Sequence, residues 1–194
     1  MQQNKKFNKF AVRVLCSFLL LLLACSPKTT MDNQDLPEHL KVWRGLYERK
    51  GDIIEDASPE DVEVAKAYPF FADKGEWQDA VRITIITAKT SYRTGEEIRI
   101  IHVVESIKEG SELYIMGPKM IYDEYVNGLL MTEKTQEDLS DPLEPLMYDG
   151  AVEPTPAVDY NYDISSYTFD VPGEYLIHWK PGALESNVLR IRVK

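Results

Sequence analysis

The spacing of apolar residues changes character several times along the chain. From Val14 to Ala24 eleven residues pass without a charge, centred on Phe18-Leu19-Leu20-Leu21-Leu22-Leu23. Ser26 to Asp35 is polar and poor in core-forming residues, as a flexible tether would be. Over 36–79 the pattern reads as helical or irregular. Leu36, Leu40, Trp43 and Tyr47 fall at intervals of four, three and four, one stripe of a helix that Asp35 would cap and Gly51 would break. A second helix is better marked. Ser58-Pro59-Glu60-Asp61 offers a capping hydroxyl, a proline where the missing N–H costs nothing, and acids in the first turn. It is expected to run to about Ala67, because Tyr68 precedes Pro69, with Phe70 and Phe71 docking it on the next sheet.

From Ala80 the period becomes two. Val81, Ile83 and Ile85 alternate with Arg82 and Thr84, and a turn at Arg93-Thr94-Gly95-Glu96 leads into Glu97–Glu105. There Ile98 and Ile100 share one face while Ile101 and Val103 break the phase, which means a bulge or a strand buried on both faces. Leu113–Met116 is a third strand. Met120–Val126 and Leu129–Thr132 flank Asn127-Gly128, the strongest short hairpin signal. Near the C-terminus Tyr167, Phe169 and Val171 alternate, Pro172-Gly173 turns the chain, and Tyr175, Ile177 and Trp179 share a face. Leu189, Ile191 and Val193 then oppose Arg190 and Arg192. Seven or eight short antiparallel strands with turns between them predict a β-sandwich over 80–194.

The stretch Asp170-Val171-Pro172-Gly173-Glu174-Tyr175 resembles the corner before strand F of immunoglobulin-like domains. In that family an acid, a glycine and a tyrosine occupy these offsets, and the tyrosine hydroxyl bonds back to the chain. The resemblance assigns Asp170, Gly173 and Tyr175 to a structural corner. Ile177 stands where antibody-type domains carry a cysteine, so it implies a generic immunoglobulin-like sandwich behind a short helical lead-in, and it says nothing of activity.

Charge changes the picture at the N-terminus. Lys5, Lys6, Lys9 and Arg13 precede the apolar run without an acid, and the run is about half the length a membrane-spanning helix needs. It reads as a signal-peptide core ending in Leu22-Leu23-Ala24-Cys25, which resembles the bacterial lipobox. The resemblance implies a signal peptide over 1–24, diacylglycerol on the Cys25 sulfur, acylation of the new amino group, and a tether over 25–35. Two or more acyl chains anchor stably where one does not. Ser26 lacks the acid of the enterobacterial inner-membrane signal, which favours the outer membrane. Loss of Cys16 with the signal leaves Cys25 as the mature chain's only cysteine, so a disulfide or thiolate metal site is not expected.

Processing also sharpens the net charge. Removing four of 22 basic residues and none of 32 acids leaves 18 against 32, a formal charge of −14. Such a surface repels nucleic acid and anionic phospholipid, so neither is an expected partner and the acyl chains carry membrane attachment.

Candidate chemistry is sparse. His39, His102 and His178 are far apart and show no metal-ligand spacing; Gly-x-Ser-x-Gly, Ser-x-x-Lys and phosphate-cradling loops are missing. No catalytic residue, cofactor or metal site is expected. The informative stretch is 133–161, with eight acids against Lys134, four prolines and no strand pattern. Loops of this length are usually functional or disordered. Asp138, Asp141, Glu144, Tyr148, Asp149, Tyr160 and the neighbouring Tyr162 are the candidate partner-binding residues, tyrosines supplying rigid amphipathic contact and acids attracting a basic partner. Two rival uses of the segment are a calcium site, which lacks the usual Asp-x-Asp-x-Asp-Gly loop, and a merely solvated insertion. The expectation is a non-catalytic, membrane-anchored envelope lipoprotein that binds another envelope protein. The rivals are an accessory subunit acting on cell wall or polysaccharide, and a sandwich-type protease inhibitor.

Overall fold

A computed structural model describes residues 36–115, 117–132 and 151–194. Contacts divide the chain into two units, 1–32 and 33–194, and every described residue belongs to the second. The lead-in comprises α1 (Glu38–Lys41), β1 (Tyr47–Lys50), β2 (Ile53–Asp56), α2 (Pro59–Lys66) and a 3-10 turn at Tyr68–Phe70. The chain continues through β3 (Val81–Ile86), β4 (Ser91–Tyr92), β5 (Glu97–Ser106), β6 (Glu112–Tyr114), β7 (Glu124–Val126) and β8 (Leu129–Leu130). The last five strands are β9 (Val152–Pro154), β10 (Ala157–Asp159), β11 (Ser165–Thr168), β12 (Gly173–Trp179) and β13 (Val188–Val193). The architecture is mainly β, with antiparallel sheets.

The helix expected from Leu36 to Tyr47 is cut to the single turn of α1. Its N-cap is Pro37, which makes no side-chain capping bond, and Gly45 at φ +96° turns the chain away from helix. Tyr47 instead opens a hairpin whose register pairs Lys50 with Ile53 around Gly51. The second helix forms as its signals predict. Ser58 Oγ accepts from Asp61 N at 3.1 Å, Pro59 occupies the first turn, and Ala67 is the C-cap.

Strand β5 lies at the centre of one sheet. Along one edge it pairs with β3, Val81 opposite Ser106 through Ile86 opposite Ile101 without a bulge. Along the other it pairs first with β10 and then with β11. Six residue steps from Asp159 to Ser165 there oppose four from Val104 to Ile100, so Tyr160–Ile164 bows out of the ladder. The phase break at Ile101 and Val103 is therefore two-sided burial of β5. Ile98, Ile100 and Val104 join the main core, while Ile101 and Val103 face the lead-in.

The second sheet has the order β4-β13-β12-β7-β8, with β4 running parallel to β13 and the other pairs antiparallel. The main core lies between the sheets and combines Ile83, Ile98 and Ile100 with Ile177, Trp179, Leu189 and Ile191. Burying an aliphatic side chain of this size contributes about 1.5–3 kcal/mol, and this core is built without a disulfide. Asn127 and Gly128, at φ +50° and +80°, make the turn between β7 and β8 that their sequence predicts. The expectation of a strandless 133–161 is corrected over 151–161, where β9 pairs with β6 and β10 with β5; 133–150 lies outside the described residues.

Candidate functional site

Strands from both sheets bring a polar cluster into the core. His102 projects from β5 on the same side as Ile98 and Ile100, and Glu124 opens β7 in the facing sheet. His102 Nε2 lies 2.9 Å from Glu124 Oε2, and neither side chain is exposed at all. Ser165 Oγ sits 2.9 and 2.8 Å from the two carboxylate oxygens, and the Tyr167 hydroxyl donates to Oε1 at 3.0 Å. Burial pushes the Glu124 carboxyl upward. The charge and hydrogen bond of His102, with the bonds from Ser165 and Tyr167, outweigh it and hold the group below the ordinary carboxylate range. Burial, then the Glu124 charge, pushes the Tyr167 hydroxyl up. The His102 ring meets Trp179 edge-on at 4.9 Å, and Trp179 Nε1 donates to Tyr122 O at 2.9 Å. The cluster thus joins three strands of two sheets at one buried point.

A second buried carboxylate fixes the lead-in. Glu105, on the opposite face of β5, accepts from Tyr68 at 2.6 Å and from Arg82 Nε at 2.8 Å, and its other oxygen lies 2.8 Å from His39 Nε2. Burial raises this carboxyl, but the bonds from Tyr68, His39 and Arg82 leave it below its ordinary value. Tyr68 also packs edge-on against Tyr160, which in turn contacts Trp43. Near by, Arg99 clamps Asp61 of α2 and pairs with Glu48 of β1. The sheet's outer face is thereby covered by Leu40, Leu46, Ala65 and Tyr68.

A third pair lies beside the bowed segment. Lys119 Nζ lies 2.7 Å from Asp159, donates to Tyr114 O at 2.7 Å and stands over the Tyr162 ring. Burial nevertheless raises the Asp159 carboxyl, Lys119 only partly offsetting it. Asn161 Nδ2 donates to Ile115 O at 2.7 Å, its Oδ1 accepts from Tyr47 N, and its carbonyl accepts from Lys119 N at 3.0 Å. A Cβ at Gly117 would stand 2.4 Å from that Asn161 carbonyl, so the close approach depends on glycine.

These placements reassign two candidate binding residues. Tyr160 and Tyr162 are buried, one against the lead-in and the other against Trp179, so their rings are core and not contact surface. The bow at 160–164 sends the two rings to different core clusters, which no alternation in the sequence signals. Cys25, Asp138, Asp141, Glu144, Tyr148 and Asp149 lie outside the described residues. At the corner, the Tyr175 hydroxyl donates to Val171 O at 2.9 Å and its ring stacks on Phe169 at 3.7 Å. Gly173 starts β12, and Asp170 lies in the bend before it. No spacing in the sequence signals the ionic partnerships of His102 and Glu105. A charge at an inward position of an otherwise apolar strand is the available clue.

Among the described residues no group of three or more His, Cys, Asp or Glu is placed to hold a metal ion, and no helix is long and apolar enough to cross a membrane. Comparison with protein-family models, with curated proteins and with solved structures found no match.

Proposed function

We propose that this chain is a lipid-anchored bacterial envelope protein whose immunoglobulin-like sandwich binds another envelope protein without catalysing a reaction. Support for the sandwich comes from strand order: β3, β5 and β11 in one sheet face β13, β12 and β7 in the other. The edge segment is split, β3 pairing with β5 while β4 runs parallel to β13, and the Tyr175 hydroxyl closes the corner. Support for the anchor is the lipobox-like Leu22-Leu23-Ala24-Cys25, which would place the acyl chains, and Ser26 after it favours the outer membrane.

One observation carries the binding role. His102, Glu105 and Glu124 are buried and engaged in joining sheet to sheet and lead-in to sheet. Recognition is left to surface and loops, including the acidic candidates of 133–150. Anchoring confines such a domain to a thin layer, where modest affinity suffices.

The anchor is tested by metabolic labelling with tritiated palmitate: wild type takes up label and Cys25→Ala does not, and equal labelling would refute it. Binding is tested by affinity capture from native membranes with the full chain and with a form lacking 133–150. That deletion spares β9 and β10, whose loss would disturb the core. Recovery of the same proteins by both forms would remove the segment from the recognition surface.

A further inference from the structure

We infer that the outer face of the five-stranded sheet is a protein-docking surface, fitted to a partner that presents apolar side chains flanked by carboxylates. The inference rests on the proposed binding role and extends it from the loops to a sheet face.

The face is built by strand register. Leu130 of β8, Tyr125 of β7, His178 of β12 and Val188 of β13 are direct cross-strand neighbours, forming one row across four strands. Their inward-facing neighbours Val126, Ile177, Trp179 and Leu189 are buried, so the row points outward. Leu130 and Val188 are 44% and 43% exposed. Leu176 stands on the same side of β12, opposite Arg190, and the next rung pairs Glu174 with Arg192 and Arg192 with Ser91. The face therefore grades from an apolar end to a cationic end.

The other sheet buries its outer face beneath the lead-in through Leu40, Leu46, Ala65 and Tyr68, and this one has no such cover among the described residues. Single exposed apolar residues need no explanation, but here Leu130 and Val188 bracket the half-buried Tyr125 and His178, whose Nε2 lies 3.1 Å from Ser186 O, in one outward row over four strands.

Charge selects the occupant. The chain is acidic, at −10 overall, yet this end of the face carries Arg190 and Arg192, with exposed Arg93 immediately after β4. Glu174 pairs with Arg190, while the side chains of Arg93 and Arg192 form no ion pair among the described residues. Apolar side chains bordered by arginines, with a tyrosine among them, have the composition of a protein interface core and its rim. A basic partner is repelled by the arginines at this end, and an acidic one meets them with opposite charge.

The test uses the full chain in nanodiscs and two labelled peptides, acetyl-Leu-Asp-Leu-Glu-Leu-Asp-amide and acetyl-Leu-Lys-Leu-Lys-Leu-Lys-amide, followed by fluorescence anisotropy. The acidic peptide is expected to bind at least about fivefold tighter, one surface charge contact being worth roughly that much. Arg192→Glu and Val188→Ser should each weaken it by a similar factor, while Ile53→Ser, in the lead-in hairpin, should leave it unchanged. Equal binding of the two peptides, or indifference to Arg192→Glu, overturns the inference. Displacement of the peptide by a sulfated oligosaccharide that itself binds more tightly also overturns it, in favour of a polyanion site. Membrane capture separates this inference from the broader one. A native partner retained by Arg192→Glu and Val188→Ser but lost on removing 133–150 sinks the sheet face and leaves the binding role standing.

Discussion

His102 Nε2 and the Glu124 carboxylate meet at 2.9 Å across the two sheets, both completely excluded from solvent. The pair occupies the interior of a domain that has no cysteine among its described residues, and so joins the sheets where no covalent bridge can. Taking charge from water is costly, and the cost is offset only because Ser165 and Tyr167 fill the remaining acceptor sites of Glu124. Removing Glu124 leaves His102 Nε2, Ser165 Oγ and the Tyr167 hydroxyl without their buried partner, and an unsatisfied buried polar group costs about 1–3 kcal/mol. Glu124→Ala is therefore expected to lower unfolding free energy by about that amount in urea titration.

The same residue sets a pH dependence. Because the Glu124 carboxyl is held below its ordinary value, its contribution is complete above the unfolded-state pKa of about 4.3. It is lost as pH falls through the lower, folded-state value. Urea midpoints measured at successive pH values should drop below about pH 4.3, and Glu124→Gln should flatten part of that drop. Glu105, also depressed, accounts for a further part, so the double substitution should flatten it more. An unchanged slope in Glu124→Gln would refute the pairing.

Glu105 predicts a local effect. Its partners His39 and Tyr68 belong to the lead-in and Arg82 to β3, so Glu105→Ala unties the lead-in while leaving the inter-sheet core intact. Amide hydrogen exchange should accelerate over residues 38–71 well before it does in β12 and β13. Uniform acceleration would instead mean that the lead-in and the two sheets unfold as one unit.

Much of this arrangement is legible in the sequence. The Ser58 cap, the Asn127-Gly128 turn and the alternation of β12 and β13 depend on residues within a few positions of one another, and local physics decides them. The features that escape such reading are decided at long range. Tyr47 continues a helical stripe in sequence, but its backbone N–H bonds Asn161 and its strand pairs with β2. Tyr160 and Tyr162 sit in a proline-rich acidic stretch, yet β10 joins the edge of β5 and carries them inward. Alternation alone puts His102 on the face of Ile98 and Ile100, while its partner lies on a strand of the other sheet, beyond the reach of any spacing rule.

At the corner, Tyr175→Phe removes one hydroxyl and keeps the ring on Phe169. The lost bond to Val171 O is worth about 0.5–1.5 kcal/mol net, and this one is exposed, so the lower part of that range is expected in chemical denaturation. A loss above about 3 kcal/mol would show that the hydroxyl does more than close the corner.

Gly75 offers the sharpest steric test. Its amide donates to Thr84 Oγ1 at 3.1 Å, and a Cβ built there would stand 2.0 Å from the Ile83 carbonyl oxygen and 3.4 Å from Asn187 N. The colliding Ile83 carbonyl is backbone, so no side-chain rotation relieves it. Asn187 fastens the same edge, its amide bonding Ile85 N at 2.8 Å and Ile85 O at 3.1 Å. Gly75→Ala must push the 73–78 segment off β3 or bend β3 itself, at a cost of about 1–3 kcal/mol, typical of overpacking. Gly95→Ala is the control for backbone conformation alone: Gly95 lies at φ +76° with open space around its Cβ direction. If Gly75→Ala destabilises no more than Gly95→Ala in urea titration, the close approach of this segment to β3 loses its steric explanation.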